Sequence, residues 1–370
     1  MNKDTDILYI IYIDENEEGN SGSVVRPIKM LNAFKRIGLN VKVVSGWKNQ
    51  ICVRRKNLKS ILRWLDSNRP KFCYIEPSSG PMYDPLDIKV MKKLHKMGVP
   101  IGLFYRDAYW KFPESLLDKG TTDIRKRIKD FIIKQMSLRD LKVIKKACDV
   151  VFVPSDTFGQ YFDFQKKICL PPGCEVRDSV NYDEDIFIDK EYLTFIFVGG
   201  ATRRYGVDLT FEAFSRVNKD GITAKLIYVC PENQWKGIKE EVYRSEYDKW
   251  LMVYHCSGDE ELRPLYAQAD VALLAAPNTE YQNFAVPVKI FEYMSYNKPI
   301  LVTNSYETSR IILENNIGWS VKDSADDVCE KIKYLNENRN EVADKKRNCK
   351  EACYNNSWDV RAKHVVKILA

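Results

Sequence analysis

The chain has 370 residues, of which 45% are apolar and 29% are charged, which is ample for two packed domains and too mixed for an intrinsically disordered protein. No apolar run approaches the ~18 residues that span a bilayer, and the first residues lack the basic, apolar and cleavable pattern of a signal peptide. Ten scattered cysteines without C-x-x-C pairs and three dispersed histidines predict reduced thiols, no structural metal site and a cytoplasmic protein.

Positive charge is concentrated in the first half of the chain. Residues 1–180 carry 33 Lys and Arg against 21 Asp and Glu, a net charge of +12, whereas the remaining residues carry 25 against 30, a net charge of −5. The two halves therefore face different partners, and the basic half suits an anionic membrane surface or nucleic acid.

Apolar runs alternate with helical periodicity along the whole chain. In the first half, we predict strands at residues 7–13, 40–45, 72–76, 101–105 and 150–153, and helices at 24–37, 58–65, 86–97 and 124–146. In the second half, we predict strands at 193–198, 224–229, 252–255, 271–275 and 300–303, and helices at 207–217, 260–268 and 288–296. This order predicts an α/β fold with parallel sheets in two Rossmann-like, doubly wound domains.

The predicted domains are separated by an acidic segment, residues 175–190, that is poor in large apolar residues and is interpreted as a linker. The domains then cover residues 1–174 and 191–356, and a last helix covers residues 357–370, with Ser357 as its N-cap. Because doubly wound domains bind ligands at the carboxyl ends of their strands, the loops after the strands are expected to carry the site residues.

A motif in the second domain predicts a nucleotide site. It reads Pro287-Val288-Lys289-Ile290-Phe291-Glu292-Tyr293-Met294, and Asn297-Lys298-Pro299 follows. Proline suits the first turn of a helix, whose free N–H groups and partial positive charge suit a phosphate, and Lys289 adds a full charge. Glu292 lies one turn on along the same face, where its carboxylate can accept hydrogen bonds from the two hydroxyls of a ribose. The alternative is an ordinary buried helix of an α/β domain.

This motif resembles the donor-site helix of bacterial glycosyltransferases with the GT-B fold, in particular those similar to glycosyltransferase family 4, which often carry Pro-x-Lys-x-x-Glu-Tyr-Met before Gly-Lys-Pro. The resemblance implies two domains that face each other across a cleft and a terminal helix that crosses back to the first domain. It implies a hexosyltransferase that moves a sugar from a nucleotide-sugar donor to a glycan or lipid-linked acceptor in cell-surface polysaccharide synthesis. It implies neither a cofactor nor a metal, because cations and helix ends can neutralise the diphosphate.

Residues 197–208 read Phe-Val-Gly-Gly-Ala-Thr-Arg-Arg-Tyr-Gly-Val-Asp, where the resembling family has Val-Gly-Arg-Leu and later Lys-Gly-Val-Asp. The family's diphosphate-binding Arg and Lys are replaced here by Gly200 and Tyr205. Arg203 and Arg204 lie in the same loop and are expected to supply the charge, with Gly199 and Gly200 beside the diphosphate. Two exposed arginines without a function are the alternative.

A glycine-rich loop precedes the first helix and reads Gly19-Asn20-Ser21-Gly22-Ser23. Glycine allows the backbone to come close to a ligand, and the helix that follows supplies its positive end. In the resembling family this loop approaches the donor diphosphate and the acceptor, so Gly22 and Ser23 are candidate binding residues. Arg26, one turn into the helix, is a further candidate, and a flexible turn is the alternative.

The loop at residues 277–284 is expected to face the donor sugar. Its polar residues include Glu280, the best candidate to accept hydrogen bonds from sugar hydroxyls, and Asn283. The resembling family commonly has a glutamate at the position that Phe284 occupies here, and the loop is longer than usual. This departure leaves the identity of the sugar open.

Candidate acceptor residues follow a strand of the first domain and read Tyr105-Arg106-Asp107-Ala108-Tyr109-Trp110. The resembling family often has His-Asp here, so Arg106 replaces the histidine. Asp107 is a candidate general base for an inverting reaction, or positions the acceptor in a retaining one. Arg106 is expected near the acceptor, and Tyr109 and Trp110 offer flat faces to a sugar ring. A structural ion pair between Arg106 and Asp107 is the alternative.

The predicted helix at residues 124–146 is basic. Its apolar residues Ile124, Ile128, Phe131, Ile132 and Met136 can share one face. Its basic residues are Arg125, Lys126, Arg127, Lys129, Lys134, Arg139, Lys142, Lys145 and Lys146. The helix either binds an anionic membrane surface or packs its apolar face on the sheet with its charges in water.

Two other functions are compatible with parts of the sequence. Sugar-nucleotide epimerases share the GT-B fold, but they need acid–base groups around one sugar, usually including histidines. The histidines here, His95, His255 and His364, lie on or beside regular elements. A basic nucleic-acid-binding protein fits the charge asymmetry, but no recognised motif supports it, so nucleic acid is not an expected partner.

Overall fold

The computed structural model describes residues 5–16, 22–47, 49–82, 84–112, 124–177 and 190–370. The chain forms two compact units: the first unit comprises Met1–Pro172 and Trp358–Ala370, and the second comprises Gly173–Ser357. Most of the segment predicted as a linker, residues 178–189, lies outside the described residues.

The first unit contains, within its described residues, a six-stranded parallel sheet in the order β2-β1-β3-β4-β5-β6. Its strands are β1 (Ile7–Ile11), β2 (Val41–Val44), β3 (Phe72–Glu76), β4 (Ile101–Phe104), β5 (Val150–Val153) and β6 (Lys167–Cys169). Its helices are α1 (Gly22–Arg36), α2 (Ile51–Trp64), α3 (Pro85–Lys96), α4 (Ile124–Ala147), α5 (Asp156–Gln160) and, from the end of the chain, α14 (Trp358–Leu369).

The second unit repeats this architecture with a parallel sheet in the order β12-β11-β10-β7-β8-β9. Its strands are β7 (Leu193–Val198), β8 (Ala224–Val229), β9 (Leu251–Tyr254), β10 (Val271–Leu274), β11 (Ile300–Thr303) and β12 (Gly318–Val321). Its helices are α6 (Val207–Val217), α7 (Glu232–Val242), α8 (Asp259–Gln268), α9 (Glu280–Phe284), α10 (Val288–Ser295), α11 (Tyr306–Glu314), α12 (Ala325–Glu337) and α13 (Arg339–Asn355).

Each sheet has one point where the strand order reverses. In the first unit β1 lies between β2 and β3, and in the second unit β7 lies between β10 and β8. The crevice at the carboxyl ends of the strands next to such a reversal is the usual ligand site of a doubly wound fold. The loops after β1 and β3 and the loops after β7 and β10 are therefore the places where the fold presents side chains to a ligand.

The α/β, doubly wound fold predicted from the sequence is confirmed, and every predicted strand is present. Two strands were missed: β6 is only three residues long and lies at a sheet edge, and β12 begins at Gly318. Helix α2 begins at Ile51 rather than residue 58. The early turn was missed because Arg54, a charged residue, is buried there, with its guanidinium on the Asp87 carboxylate at 2.5 Å.

Helix α14 belongs to the core of the first unit. Trp358, Val365 and Leu369 are buried together with residues of β1, β3 and α1. A methyl group on Gly102 of β4 would come within 2.6 Å of the Leu369 side chain. This close fit explains a glycine in the middle of a buried strand.

Candidate active site

Helix α10 presents one polar face and buries the other. Pro287 is its N-cap, one position before the first turn in which the sequence placed it, and no side chain caps the helix. Ile290, Tyr293 and Met294 are buried in the core of the second unit. The polar face is therefore the one that carries Lys289 and Glu292, whose side chains are each 25% exposed.

Lys289 and Glu292 form an ion pair. The ammonium nitrogen of Lys289 lies 2.8 Å from Oε2 of Glu292, and the Tyr266 hydroxyl donates to Oε1 at 2.8 Å. Burial raises the pKa of Tyr266 well above its usual range, and the nearby Glu292 carboxylate raises it further, so this hydroxyl stays protonated. Tyr266 thus fixes the carboxylate, and a ligand that needs both oxygens must displace Lys289.

Tyr266 is in turn held by a network that the sequence did not indicate. Its ring stacks on Tyr296 with centroids 3.9 Å apart, the Tyr296 hydroxyl donates to Asp259, and Arg177 pairs with Asp259 at 2.6 Å. Burial alone would raise the pKa of Asp259, but hydrogen bonds from Arg177, Tyr296 and Arg263 outweigh it and hold the pKa well below its usual range. Asp259 is 82 residues from Arg177 and 37 residues from Tyr296, so no local pattern could reveal these two contacts.

The Gly199–Gly200 loop follows β7, at the reversal of strand order. The N–H of Gly199 donates to Val229 at 2.9 Å, and the N–H of Ala201 donates to the side-chain oxygen of Gln234 at 3.0 Å. A Cβ on Gly200 would lie 2.8 Å from that same oxygen. Close packing thus accounts for Gly200, and the predicted contact with the diphosphate stays a prediction.

The two arginines of this loop have different surroundings. Arg203, which is exposed, pairs with Asp208 at 3.1 Å and with Glu241 at 2.6 Å. The Arg204 guanidinium lies 5.1 Å from the Tyr281 ring centroid, and the Arg204 carbonyl accepts a hydrogen bond from Gln282 at 3.4 Å. Arg204 is therefore the arginine next to the loop expected to face the donor sugar, whereas Arg203 is engaged by two carboxylates.

That loop contains the short helix α9, which Thr279 caps by accepting from the N–H of Gln282 at 3.2 Å. Glu280 lies in its first turn. The side-chain oxygen of Asn283 accepts from the N–H of Tyr306 at 2.9 Å, so this part of Asn283 is used to hold α11. Phe284 is buried, which fits a packing role where the resembling family has a glutamate.

Gly206 fixes the loop between Arg204 and α6 against β10. It adopts a left-handed conformation with φ of 73°, and a Cβ at this position would lie 1.7 Å from the carbonyl oxygen of Ala275. A glycine is therefore required both by the backbone conformation and by the close approach of two chain segments. The loops after β7 and β10 meet at this point.

Lys298, which follows α10, is buried and donates to the carbonyl oxygen of Ala269 at 2.6 Å. Burial lowers the pKa of this ammonium group to about 7, and the charge of Lys346 acts in the same direction. The position therefore joins α8 to β11 within the core rather than contacting a ligand.

In the first unit, Arg106, Asp107 and Trp110 line the same cavity. The Ser79 hydroxyl donates to Asp107 at 2.5 Å, and the indole N–H of Trp110 donates to the Tyr105 hydroxyl at 3.1 Å. Three of the predicted acceptor-side residues are thus brought together. Tyr109 is half-buried in the turn beside them.

Arg106 pairs with Glu76, not predicted as a site residue, at the carboxyl end of β3. The Arg106 guanidinium lies 3.6 Å from Oε2 of Glu76, and Nε of Arg26 lies 3.3 Å from Oε1. Gly22 and Ser23 form the start of α1, and residues 19–21 of the predicted loop lie outside the described residues. Their predicted contact with the donor stays a prediction.

The first half of α4 is exposed on its apolar side. Ile124, Ile128, Phe131 and Ile132 are 50% to 69% exposed, whereas Ser137, Asp140 and Ile144, farther along, are buried. The alternative in which these apolar side chains pack on the sheet is therefore wrong for the first half of α4. In the part of the chain that the structure describes, no helix combines the length and apolarity needed to cross a bilayer.

Among the described residues, no three His, Cys, Asp or Glu side chains lie together in a way that would hold a metal ion. The cations near the candidate sites include the side chains of Lys289, Arg204 and Arg106. Independence of metal and cofactor stays a prediction.

Residues 178–355 match the family model "Glycosyl transferases group 1". No curated protein sequence matches the chain.

Similar solved structures include a sucrose-phosphate synthase from Thermosynechococcus elongatus, with 12% identity, a TM-score of 0.68 and coverage of 98% of both chains. WaaG, a glycosyltransferase involved in lipopolysaccharide biosynthesis, has 14% identity, a TM-score of 0.64 and coverage of 98% of this chain and 99% of its own. Anabaena HepE in complex with UDP has 10% identity, a TM-score of 0.61 and coverage of 99% of both chains. The GT-B fold and the resemblance to glycosyltransferases are confirmed, and membership of family 4 in particular stays a prediction.

Proposed function

Since this chain is a glycosyltransferase with the GT-B fold, we propose that it moves a sugar from a nucleotide-sugar donor to a hydroxyl of a glycan or lipid-linked acceptor. The setting we propose is bacterial cell-surface polysaccharide synthesis at the cytoplasmic face of the membrane. The observation that carries the proposal is the Lys289–Glu292 pair on the exposed face of α10. It lies within the segment that matches the family model.

The pair suits a nucleotide because the nucleotide can give each residue a new partner. The diphosphate takes the place of Glu292 beside Lys289, and the ribose takes the place of Lys289 beside Glu292. A diphosphate offers Lys289 a stronger anion than a single carboxylate, and the first turn of α10, which no side chain caps, adds free N–H groups. Glu292, released from Lys289 and held by Tyr266, then accepts hydrogen bonds from ribose hydroxyls. After this replacement, Lys289 has the diphosphate as its partner and Glu292 has hydrogen-bond donors. The free-energy cost of separating the two residues is therefore low.

The proposed chemistry follows from where charge develops. The leaving nucleoside diphosphate gains negative charge in the transition state, and Lys289 and Arg204 stabilise it electrostatically, with no metal or cofactor. Glu280, in the first turn of α9, accepts hydrogen bonds from hydroxyls of the donor sugar. Asp107 acts on the acceptor hydroxyl, as general base if the reaction inverts configuration, or as a positioning group if the donor phosphate takes the proton and configuration is retained.

The similar structures support this proposal in general terms. One of them was solved in complex with UDP, which supports a nucleotide-sugar as donor. WaaG, by its description, acts in lipopolysaccharide biosynthesis, which supports a cell-surface glycan as product. The sucrose-phosphate synthase points to a phosphorylated sugar instead, so the acceptor class needs evidence from this chain.

Substitutions in the pair test the donor site. Calorimetry with UDP, GDP and their sugar conjugates is expected to detect binding by the wild-type chain. Lys289→Met and Glu292→Gln are each expected to weaken it about 10-fold or more, since hydrogen bonds to charged groups contribute roughly 1.5–3 kcal/mol. The matched control is another i,i+3 ion pair, Asp344–Arg347 on α13, where Asp344→Asn and Arg347→Met are expected to leave the affinity unchanged. Absence of nucleotide binding, or equal affinity in all variants, would contradict the donor site.

We also propose that the first half of α4 binds an anionic membrane surface. Its exposed apolar side chains, Ile124, Ile128, Phe131 and Ile132, are interspersed with exposed Arg125, Arg127, Lys129 and Lys134. Apolar side chains that enter the headgroup region and cations worth about 1 kcal/mol each near anionic lipid together favour peripheral binding. This location would bring the enzyme to lipid-linked acceptors.

Vesicle co-sedimentation measures this contact. The wild-type chain is expected to sediment with vesicles that contain anionic lipid, less so as salt is raised, and the double variant Ile128→Asp/Phe131→Asp is expected to stay in solution. Leu313→Asp, at an apolar residue of α11 that is 58% exposed, is the control and is expected to sediment like the wild type. Sedimentation that does not depend on anionic lipid, or that survives the double substitution, would argue against a membrane role for α4.

A further inference from the structure

We propose that the first unit contains a phosphate site, formed by Arg26, Glu76 and Arg106, that binds a phosphate group of the acceptor. The inference rests on the proposed function in naming the ligand as an acceptor, and it narrows that acceptor to a phosphate ester. The three residues are called the Arg–Glu–Arg cluster below. They lie at the carboxyl end of the sheet where the strand order reverses.

Three elements bring the cluster together. Arg26 lies on α1, Glu76 ends β3, and Arg106 follows β4. The Arg26 side chain is 3% exposed, that of Glu76 is fully buried, and that of Arg106 is 13% exposed. Two guanidinium groups against one carboxylate leave a net positive charge in a site from which water is largely excluded.

Within the part of the chain that the structure describes, the guanidinium groups lack hydrogen-bond acceptors. Among the described residues, none of the three nitrogens of Arg26 and none of the three nitrogens of Arg106 has a hydrogen-bond partner. The ion pairs with Glu76, at 3.3 Å and 3.6 Å, hold the charges close without forming hydrogen bonds. Instead, the Arg26 guanidinium lies 3.6 Å from the centroid of the Phe104 ring. Buried donors in native proteins nearly always have partners, so this cluster fits a ligand that brings acceptor oxygens.

Phosphate meets each requirement of the cluster. It offers several acceptor oxygens to planar, forked guanidinium donors, which bind it in a bidentate manner, and its negative charge balances the surplus positive charge. Helix α1, on which Arg26 lies, has no acidic residue in its first turn, and the N-terminal end of a helix favours anions. A water molecule would supply oxygen but no charge, and an uncompensated buried charge is costly.

Arg106 joins the cluster to a neighbouring cavity, and its guanidinium nitrogens are buried on the side of the cluster. Arg106 lines the cavity that also contains Asp107 and Trp110. Ser137, which is 4% exposed, lines it too, and its hydroxyl has no hydrogen-bond partner among the described residues. A phosphate on Arg106 would therefore place the attached sugar beside Asp107. Both a soluble sugar phosphate and a sugar linked to a lipid phosphate have this chemistry.

Calorimetry with inorganic phosphate and with glucose 6-phosphate, at constant ionic strength, tests the site. The wild-type chain is expected to bind both, and Arg106→Met is expected to lose at least about 10-fold in affinity. Arg106→Lys is expected to recover part of it, because lysine keeps the charge without the forked geometry. Since Arg26→Met removes a buried group and could unfold the unit, Glu76→Gln serves as the second variant and is expected to tighten phosphate binding. Circular dichroism checks that each variant is folded.

Lys289→Met separates this site from the donor site of the second unit. It is expected to weaken nucleotide binding and leave glucose 6-phosphate binding unchanged, so failure of either site is seen independently. Tighter binding of glucose 6-phosphate than of phosphate and glucose would support a soluble acceptor. Arg106-dependent binding to neutral vesicles that carry polyprenyl phosphate would support a lipid-linked one. The proposal is overturned if phosphate does not bind, if Arg106→Met binds it as well as the wild type, or if Lys289→Met alone abolishes binding.

Discussion

Replacement of Asp107 by asparagine is expected to lower the rate of sugar transfer by a factor on the order of 10² to 10⁴, the range for loss of a general base, while nucleotide binding stays near the wild-type value. Asp107 follows β4, lines the cavity with Arg106 and Trp110, and accepts a hydrogen bond from Ser79 at 2.5 Å. Asparagine keeps the size of the side chain and an oxygen for Ser79. It removes the negative charge, and with it the capacity to take a proton.

The measurement pairs release of the nucleoside diphosphate during turnover with calorimetry on the same variant. Asp163→Asn is a suitable control, because this aspartate of the first unit is almost fully exposed and pairs only at the surface with Lys145. Ser79→Ala is expected to have a smaller effect, since it removes the group that orients Asp107 and not the carboxylate. Turnover by Asp107→Asn at the wild-type rate would exclude a catalytic role for this residue.

Gly206→Ala is expected to destabilise the second unit on the order of 4 kcal/mol or more, among the largest effects of a single substitution. The new Cβ would lie 1.7 Å from the carbonyl oxygen of Ala275, and backbone atoms of this kind can separate only if a loop moves. The left-handed conformation, with φ of 73°, adds about 1–2 kcal/mol for any residue with a Cβ. Because the loops after β7 and β10 meet here, donor binding is expected to weaken together with stability.

Gly258→Ala is the control for the clash. Gly258 has φ of 83° and ψ of 164°, a conformation that costs a residue with a Cβ at least as much as that of Gly206, but a Cβ there would meet no atom within 4 Å. Urea unfolding followed by tryptophan fluorescence measures both variants, and Gly258→Ala is expected to lose much less free energy of unfolding than Gly206→Ala. Equal losses in the two variants would show that the approach of Gly206 to Ala275 is not tight.

The general architecture could be read from the sequence because it depends on local pattern. Continuous apolar runs such as β1 mark strands that are buried on both faces, and their alternation with helices predicts parallel sheets. The i,i+3 spacing of Lys289 and Glu292 predicted that they share one helix face, and they lie 2.8 Å apart. Their roles toward a nucleotide stay a prediction until binding is measured.

The parts that could not be read depend on contacts between distant segments. Arg26, Glu76 and Arg106 are separated by 30 residues or more, and only the parallel order of β1, β3 and β4 brings them together. Similarly, nothing near Asn283 indicated that its side chain would hold Tyr306. In α4, the period of the apolar residues predicted a helix, but whether its apolar face is covered depends on neighbours that the sequence does not specify.

The first unit is formed by two separate segments of the chain, and this affects how it folds during synthesis on the ribosome. Its core includes Trp358, Val365 and Leu369 of α14, whereas the second unit is one continuous stretch, Gly173–Ser357. The later-made unit can therefore finish folding while the earlier-made one still waits for its last helix. In the interval, the surfaces of α1 and β4 that α14 contacts in the folded unit are exposed to solvent, and chaperones bind apolar surfaces that are exposed in this way.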